Sequence, residues 1–372
     1  MNIRGATRLL VPGLVLQAVM VGGGYSTGRE LVSFFLVNGP ASAIAGMAVT
    51  AMMFSLTAML AFELARRNGA FDYKTFCQIF MGRWWFLFEI GYIGALLLTL
   101  SVVTAAAGEL VLVELGLAPL AGACIFIIVI SILLLLDTSW IERIISFWSL
   151  LFYAAYGAMF LAVFWLHGDA MMHSIGARPL DVGQSLSSGL SYTGYNITLV
   201  AILIFVARTF RSRKEALIAG AITGPLMLLP GIALLLTLTA FYPAILHSPL
   251  PVSHVLNAVG NPLLSSLINI IISCALMKTG LAMLHGLNER IGAAYAARGT
   301  TMPRFARPAL AIGAMIFAGA AAASIGLIDL IGKGYRYSGY YFLAVFLLPL
   351  FTRGVWLVTR RPAQLSSRGH QA

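Results

Sequence analysis

Charged residues are scarce in this chain of 372 residues. Lysine and arginine together number 24 and aspartate and glutamate 13, which makes 10% of the sequence charged. Soluble proteins carry about 25%. Hydrophobic residues make up 60%, and the mean hydropathy is +0.91, so a soluble domain of this length has too little polar surface to cover its apolar side chains. Repeated apolar runs of about 20 residues therefore predict an all-α, polytopic membrane protein.

Cysteine is also scarce. Cys77, Cys124 and Cys274 lie far apart, and their spacing fits neither a metal site nor a disulfide framework. The sequence lacks a phosphate-binding glycine loop, a nucleophile triad and a nucleotide-binding fingerprint. We therefore predict that the protein is not an enzyme, holds no metal and uses no cofactor.

The net charge of +11 does not indicate nucleic-acid binding, because the basic residues lie in short loops between apolar spans. With both termini placed in the cytoplasm, only Arg178 falls in an outside loop, and four of the 24 basic residues fall within spans. This bias follows the positive-inside rule. It predicts a multi-pass protein of the bacterial inner membrane with both termini cytoplasmic.

The apolar runs predict ten spans, separated by short polar segments. They are Leu9–Leu36, Ala41–Ala65, Trp85–Val113, Leu120–Leu136, Ile144–Leu166, Gln184–Val206, Ala216–Tyr242, Pro262–Gly286, Pro308–Gly326 and Ile328–Phe351.

A weak internal sequence repeat suggests that the chain consists of two related halves. YSTG in the first span and AIAG at the start of the second match SYTG in the sixth and LIAG at the start of the seventh. An offset of five spans, an odd number, inverts one half relative to the other, as in many transporters. The predicted division is a first five-helix repeat at 1–166, an extracytoplasmic loop at 167–183, a second repeat at 184–351 and a cytoplasmic tail at 352–372.

The stretch MVGGGYSTGRE interrupts the first span with three glycines and several polar residues. Irregular backbone persists at membrane depth only where it is buried in protein or lines a cavity, which favours an unwound ligand site. The sixth span has a similar polar stretch, SYTG. For either stretch taken alone, the alternative is that its glycines and small residues only allow close helix packing. The predicted binding residues are Gly22, Gly23, Gly24, Tyr25, Ser26 and Thr27 in the first span, and Ser191, Tyr192, Thr193 and Gly194 in the sixth.

The motif GGGYSTGREL, with FF shortly after it, resembles the first-helix signature of the YkvI family of bacterial inner-membrane proteins. That family is similar to the amino acid–polyamine–organocation superfamily, whose LeuT-like fold has five plus five inverted helices. The resemblance implies that the first and sixth helices are broken at the substrate site. It also implies that the third, eighth and tenth helices line the pathway.

Ionisable residues inside spans are functional candidates, because each is costly in the membrane. Lys278 lies near the middle of the eighth span beside Thr279. In sodium-coupled relatives this helix helps to hold Na⁺, so the resemblance implies that the Lys278 ammonium replaces the ion in a proton-coupled protein. A structural lysine paired with a carboxylate is the alternative. Glu30 is predicted as a partner of Lys333 or Arg336, or as a proton acceptor.

The resemblance also implies an outer gate formed by Arg29 of the first helix and Asp329 of the tenth. An intrahelical pair between Asp329 and Lys333, one turn apart, is the alternative.

Together these features predict a secondary transporter that works by alternating access. The basic residues within spans, with the backbone amides of the opened first helix, favour a small carboxylate-bearing substrate, an amino acid or an organic acid. The predicted mode is symport, with protons as the coupling ion. A sodium- or metal-ion-coupled transporter on the same fold and a non-transporting membrane sensor are the alternatives. The predicted partners are the substrate and the lipid bilayer, and the sequence leaves the oligomeric state open.

Overall fold

The computed structural model describes residues 3–133, 138–296, 298–303 and 305–359. Within these residues, seven helices are long and apolar enough to cross a membrane, and Thr7–Met20 and Pro119–Leu133 are shorter apolar helices. The end of the predicted fourth span and the tail from residue 360 lie outside the described residues.

The first span is broken where the glycines predict it. Helix α1 (Ile3–Met20) is followed by the short helices α2 (Gly23–Ser26) and α3 (Arg29–Phe34). Gly22 is extended, and Gly28 has a φ of +78°, a left-handed conformation that favours glycine. A Cβ at Gly28 would also lie 3.2 Å from Val252, so this turn depends on glycine twice.

The sixth span is also broken, but a few residues later than the polar motif suggests. Helix α9 (Val182–Asn196) ends after the motif, and the helical hydrogen bonding is interrupted at Ile197. Helix α10 (Thr198–Ile202) follows and leads into a 3₁₀ segment (Ile204–Thr209). The prediction of an unwound backbone across Ser191–Gly194 was wrong, because these residues are helical. Their hydroxyl groups bond back to carbonyls of their own helix, which allows the helix to continue.

The remaining spans follow the predicted order. They are α4 (Pro40–Asn68), α6 (Trp85–Leu115, preceded by the short α5, Tyr73–Met81), α7 (Pro119–Leu133), α8 (Thr138–Gly176), α11 (Arg213–Thr239), α13 (Pro262–Ala296, preceded by the short α12, Pro251–Val259), α14 (Ala306–Ile325) and α15 (Leu327–Thr359).

Two helices differ in detail from the predicted pattern. Helix α8 continues to Gly176 with non-helical dihedral angles at His167, so most of the segment predicted as a loop at 167–183 is helical. Helix α15 contains three π-helical segments, Leu330–Tyr335, Leu343–Leu347 and Leu350–Gly354. Such wide turns within α-helices often occur at functional sites.

The helices pack in two groups. In the first helix group, α4 packs against α9 and α11, and α1 packs against α11. In the second helix group, α6 packs against α7, α13 and α14. Helix α15 packs against α9 so closely that a Cβ at Gly194 would overlap the Gly339 carbonyl.

The two ends of the bundle differ in what they contain. The terminal end carries the first and last described residues, where Arg8 lies 3.7 Å from Glu215 and Arg67 donates to the Leu357 carbonyl. The α12 end lies opposite, where the Val252 amide donates to the Thr27 carbonyl over 3.1 Å.

Candidate functional site

A cavity of about 100 Å³ lies between the two helix groups, at the level of both helix breaks. Its lining comes from the broken first span, the broken sixth span, α6, α13 and α15. The lining residues are Val19, Met20, Gly22, Gly23, Gly24, Glu30, Tyr92, Ala95, Leu96, Thr99, Tyr195, Asn196, Thr198, Leu199, Thr279, Met283 and Tyr335.

The glycines of the first break allow α13 to approach the backbone closely. The Gly23 amide donates to Thr279 Oγ1 over 2.9 Å, which satisfies one donor at the break. A Cβ at Gly23 would lie 2.6 Å from Leu276 and 3.0 Å from Val103. The break therefore needs glycine for close packing, and the same glycines line the cavity; that they bind a ligand stays a prediction.

Glu30 places a carboxyl group at the cavity wall. The residue is 5% exposed, and its Oε1 lies directly against Gly24, where a Cβ would overlap it. Among the described residues, Glu30 has no ion pair with a basic side chain. The phenol groups of Tyr25, Tyr192 and Tyr195 are close enough to interact electrostatically with this carboxyl group.

The sixth span contributes residues on either side of its break. Tyr195 stacks on Tyr335 of α15 with ring centroids 4.0 Å apart. Asn196 turns one amide N–H to the Tyr192 carbonyl over 3.2 Å, and Thr198 follows the break at Ile197. This wall presents both polar groups and the stacked tyrosine rings to the cavity.

The predicted residues of the sixth span lie behind that wall. Ser191 and Thr193 donate to the carbonyls of Ser188 and Gly189 in their own helix. Tyr192 packs edge-on against the rings of Phe34 and Phe35, at 5.1 and 4.9 Å. Tyr192 and Gly194 pack α9 against its neighbours, and none of the four residues lines the cavity.

Three predicted residues of the first span are likewise turned away from the cavity. Ser26 and Thr27 donate to the carbonyls of Gly23 and Gly24, each over 2.8 Å, and thereby stabilise the break. Tyr25 is 1% exposed, and its hydroxyl lies against Gly231 of α11.

The predicted outer gate has different partners in this structure. Arg29 is 5% exposed, and its Nη1 donates to the carbonyl oxygens of Leu246 and Ser248 over 2.8 and 2.9 Å. Asp329 instead pairs with Lys333 over 3.0 Å on the exposed face of α15. We call the segment 244–259 the α12 cap, because Arg29 joins it to the first span.

The other basic residues within spans also lie away from the cavity lining. Lys278 reaches the Ala18 carbonyl at 3.3 Å, near the end of α1, without a carboxylate partner among the described residues. Arg336 donates to the Ser33 carbonyl over 3.1 Å. The basic excess that favoured a carboxylate-bearing substrate therefore does not surround this site.

Sequence reasoning missed a polar stripe on α6. Tyr92 and Thr99 both line the cavity, and their spacing of seven residues places them on one helix face. That spacing is the signal that identifies them. Tyr92 also lies against Arg290, which pairs with Glu89 over 2.7 Å and stacks on Tyr73. The pair joins α6 to α13 within the second helix group, which agrees with a structural role for Glu89.

The arrangement of helices is that of known membrane transporters. The manganese transporter of Eremococcus coleocola, solved with an aromatic bis-isothiourea substituted compound, is similar with a TM-score of 0.56 and 14% identity, over 94% of this chain and 80% of that chain. A Na⁺-coupled sialic acid symporter in a substrate-bound outward-open state is similar with a TM-score of 0.51 and 14% identity, over 94% and 86%.

These likenesses confirm the predicted fold class: the chain has a LeuT-like fold of membrane-spanning helices with the first and sixth spans broken. No protein-family profile and no curated protein sequence matches the chain. Membership of the YkvI family and the inverted repeat stay predictions.

Proposed function

We propose that this protein is a secondary transporter that carries a small carboxylate-bearing solute, of which an amino acid fits best, by alternating access. One observation carries the proposal: a largely apolar cavity with a few polar groups occupies the meeting point of the two broken spans, between two helix groups. Transporters of this architecture bind their cargo at such a point and move one group against the other. The proposal assigns no catalysed reaction to the cavity.

The size and polarity of the cavity support a small solute. A volume of about 100 Å³ is several times what one water molecule requires. Thr99, Thr198 and the Asn196 amide offer neutral groups suited to a carboxylate, and Glu30 offers an acceptor suited to an ammonium group. An amino acid carries both groups, which makes it a better fit than an organic acid.

The cavity is placed towards the terminal end. Val19, Tyr92 and Met283 line it on that side, whereas Phe34 and Phe35, 1% and 0% exposed, lie towards the α12 end. We assign the terminal end to the cytoplasm of a bacterial cell, because the basic loop residues gather there. On that assignment the structure corresponds to a state closed to the outside.

Protons are the coupling ion that we propose, with Thr279 and Lys278 as the groups that connect coupling to movement. Thr279 holds the first break through the Gly23 amide, and Lys278 holds the end of α1 through the Ala18 carbonyl. Both contacts join α13 of the second helix group to the first span. A change at either contact therefore acts on the boundary between the two groups.

Uptake into proteoliposomes tests the proposal. We expect labelled amino acids to accumulate without Na⁺ and to lose accumulation when the pH gradient is removed. Thr99→Val should reduce uptake, since it removes a cavity hydroxyl, whereas Thr237→Val is the matched control. The Thr237 hydroxyl bonds to the Ala233 carbonyl of its own helix and to no other described residue. Uptake by neither the wild type nor the control, from a panel of amino and organic acids, would contradict the transport proposal, and strict Na⁺ dependence would contradict the proton coupling.

A metal-ion transporter is the second candidate, because Glu30 and Asn196 bring oxygen atoms to one cavity and Mn²⁺ accepts such ligands. The described residues, however, contain no cluster of three His, Cys, Asp or Glu residues that would hold a metal. Quenching of a metal-sensitive dye inside the same vesicles distinguishes the two candidates: Mn²⁺ influx without amino acid uptake would favour the metal.

A further inference from the structure

Glu30 is the one residue with an ionisable carboxyl group among the described residues that line the central cavity. Its side chain is folded back onto Gly24 and is almost fully buried. An ionised carboxylate in such a place is costly unless a cation pairs with it. The Glu30 carboxyl group must therefore either stay protonated or pair with a cation.

The nearby basic residues are engaged elsewhere. Arg29, the next residue in the chain, points its guanidinium to the α12 cap and to the Ser33 hydroxyl. Lys278 of α13 reaches the Ala18 carbonyl, and Arg336 of α15 reaches the Ser33 carbonyl. His247, in the α12 cap, is exposed.

The remaining titratable groups that face Glu30 are phenols. They come from three of the elements packed around it: Tyr25 from α2, Tyr192 and Tyr195 from α9, and Tyr335 from α15. On the side of α8, Tyr156 donates to the Ser26 carbonyl behind this cluster.

An aromatic wall beside a buried carboxyl group suits a cation. Tyr195 and Tyr335 line the cavity as a stacked pair, and Tyr92, whose ring already attracts the Arg290 guanidinium at 4.4 Å, lines it from α6. Cations are attracted to the faces of tyrosine rings, and more strongly where water is excluded.

We propose that Glu30 binds the ammonium group of the substrate and a proton in alternation, so that substrate and proton exchange at one carboxyl group. This inference rests on the transport proposal above and narrows its substrate class to amino acids, because the substrate must bring an ammonium group; an acid that lacks an amine has no place. Amines without a carboxylate serve only as probes of that contact. It also gives the sign of coupling: substrate is exchanged against protons, in place of the symport that the sequence predicts.

The exchange involves one proton transfer. In the empty cavity Glu30 is a neutral carboxylic acid. When the substrate arrives, the O–H bond breaks, its electron pair stays on the oxygen, and the proton passes to water at the mouth of the cavity. The resulting carboxylate pairs with the substrate ammonium group, which keeps all its protons. When the substrate leaves, Glu30 takes up a proton from water, and the site returns to its first state.

Matched small molecules separate the substrate groups that matter. One set is alanine, ethylamine and propionate, and a second set is glycine, methylamine and acetate. In each set the amine lacks the carboxylate of the amino acid, and the acid lacks its amine. We expect the amino acids and amines to raise the melting temperature of the purified full-length protein and the acids to leave it unchanged. The reverse order, with acids protective and amines without effect, would overturn the inference.

Proton release provides a second readout. In weakly buffered solution with a pH dye, binding of a protective amine should acidify the medium by about one proton per protein molecule, and Glu30→Gln should abolish the signal. Glu30→Gln should also weaken binding by about tenfold or more, since a charge-assisted contact is lost. Glu109→Gln is the matched control, because Glu109 lines a separate cavity near Pro119 and Gly326.

The other possible results of these experiments also test the role of Glu30. Unchanged proton release in Glu30→Gln, equal effects of the two variants, or no proton release with any probe would overturn the inference. If Glu30→Gln does not fold, the wild-type proton count and the order within each set remain decisive. Vesicle uptake of propionate without any amine would sink the inference while the transport proposal stands. Absence of all flux counts against the transport proposal itself.

Discussion

The guanidinium of Arg29 holds the α12 cap over the closed end of the cavity, and Arg29→Gln should release that end. The wild-type residue makes two hydrogen bonds to cap carbonyls, at Leu246 and Ser248, and one to the Ser33 hydroxyl. Glutamine is shorter and uncharged, so it loses both contacts to the cap. The hydrogen bond between Val252 and Thr27 remains as a weaker link between the cap and the first span.

The size of the effect follows from those contacts. A hydrogen bond to a charged group contributes about 1.5–3 kcal/mol. If the two cap contacts exist only in the closed state, their loss removes about 3 kcal/mol or more of preference for that state. Because about 1.4 kcal/mol corresponds to a factor of ten, opening of the α12 end should become roughly a hundredfold more frequent. Arg29→Lys keeps the charge but loses the forked guanidinium donor, so the α12 end should open more often than in the wild type and less often than in Arg29→Gln.

Cysteine accessibility measures this opening. Thr99→Cys places a thiol in the cavity of a chain whose own cysteines, Cys77, Cys124 and Cys274, are replaced by alanine. A membrane-impermeant maleimide is added to spheroplasts and, separately, to inverted vesicles, so that each end is probed. We expect Arg29→Gln to raise the labelling rate from the α12 end at least tenfold. An unchanged rate from that end, with normal protein levels, would refute the reasoning.

Three further predictions concern the walls of the cavity. Thr279→Val should lower the free energy of unfolding by about 1–3 kcal/mol, because the Gly23 amide, which donates to the threonine hydroxyl, loses its acceptor. Thr279→Ser should retain the wild-type melting temperature. Gly24→Ala should abolish uptake by displacing the buried carboxyl group, while Gly94→Ala, with open space around its Cβ, should transport normally. Gly194→Ala should lower the melting temperature by forcing α9 from α15, at a cost of about 1–3 kcal/mol, and Gly157→Ala should not. A melting curve or an uptake rate that does not separate each variant from its control would contradict the corresponding prediction.

The first helix break could be predicted because its cause is local. Three consecutive glycines and the left-handed Gly28 change the backbone itself, and no distant contact is needed to see it. The position of the break at Ile197 could not, because no glycine or proline stands between Gly194 and the break to mark where the helix ends. The polar motif just before it was a misleading guide, since Ser191 and Thr193 satisfy their hydroxyl groups within the helix.

The directions of the long basic side chains could not be predicted either. Position along a span places a residue at a depth, but the partner of Arg29 lies 217 residues further along the chain, in a segment outside the predicted spans. The same limit applies to Lys278, whose partner is a backbone carbonyl of α1. The sequence places Thr279 beside Lys278 in the eighth span but does not give its contact with the Gly23 amide, and its role in coupling stays a prediction.

The grip of Arg29 on the α12 cap has a consequence for how the protein can vary. Every amino acid, proline included, presents a carbonyl oxygen, so positions 246 and 248 can change identity without losing the contact. Inserting or deleting a residue between the end of α11 and α12 would shift those oxygen atoms out of reach. The cap should therefore tolerate point substitutions widely and changes of length poorly, a contrast that deep mutational scanning of this segment would display directly.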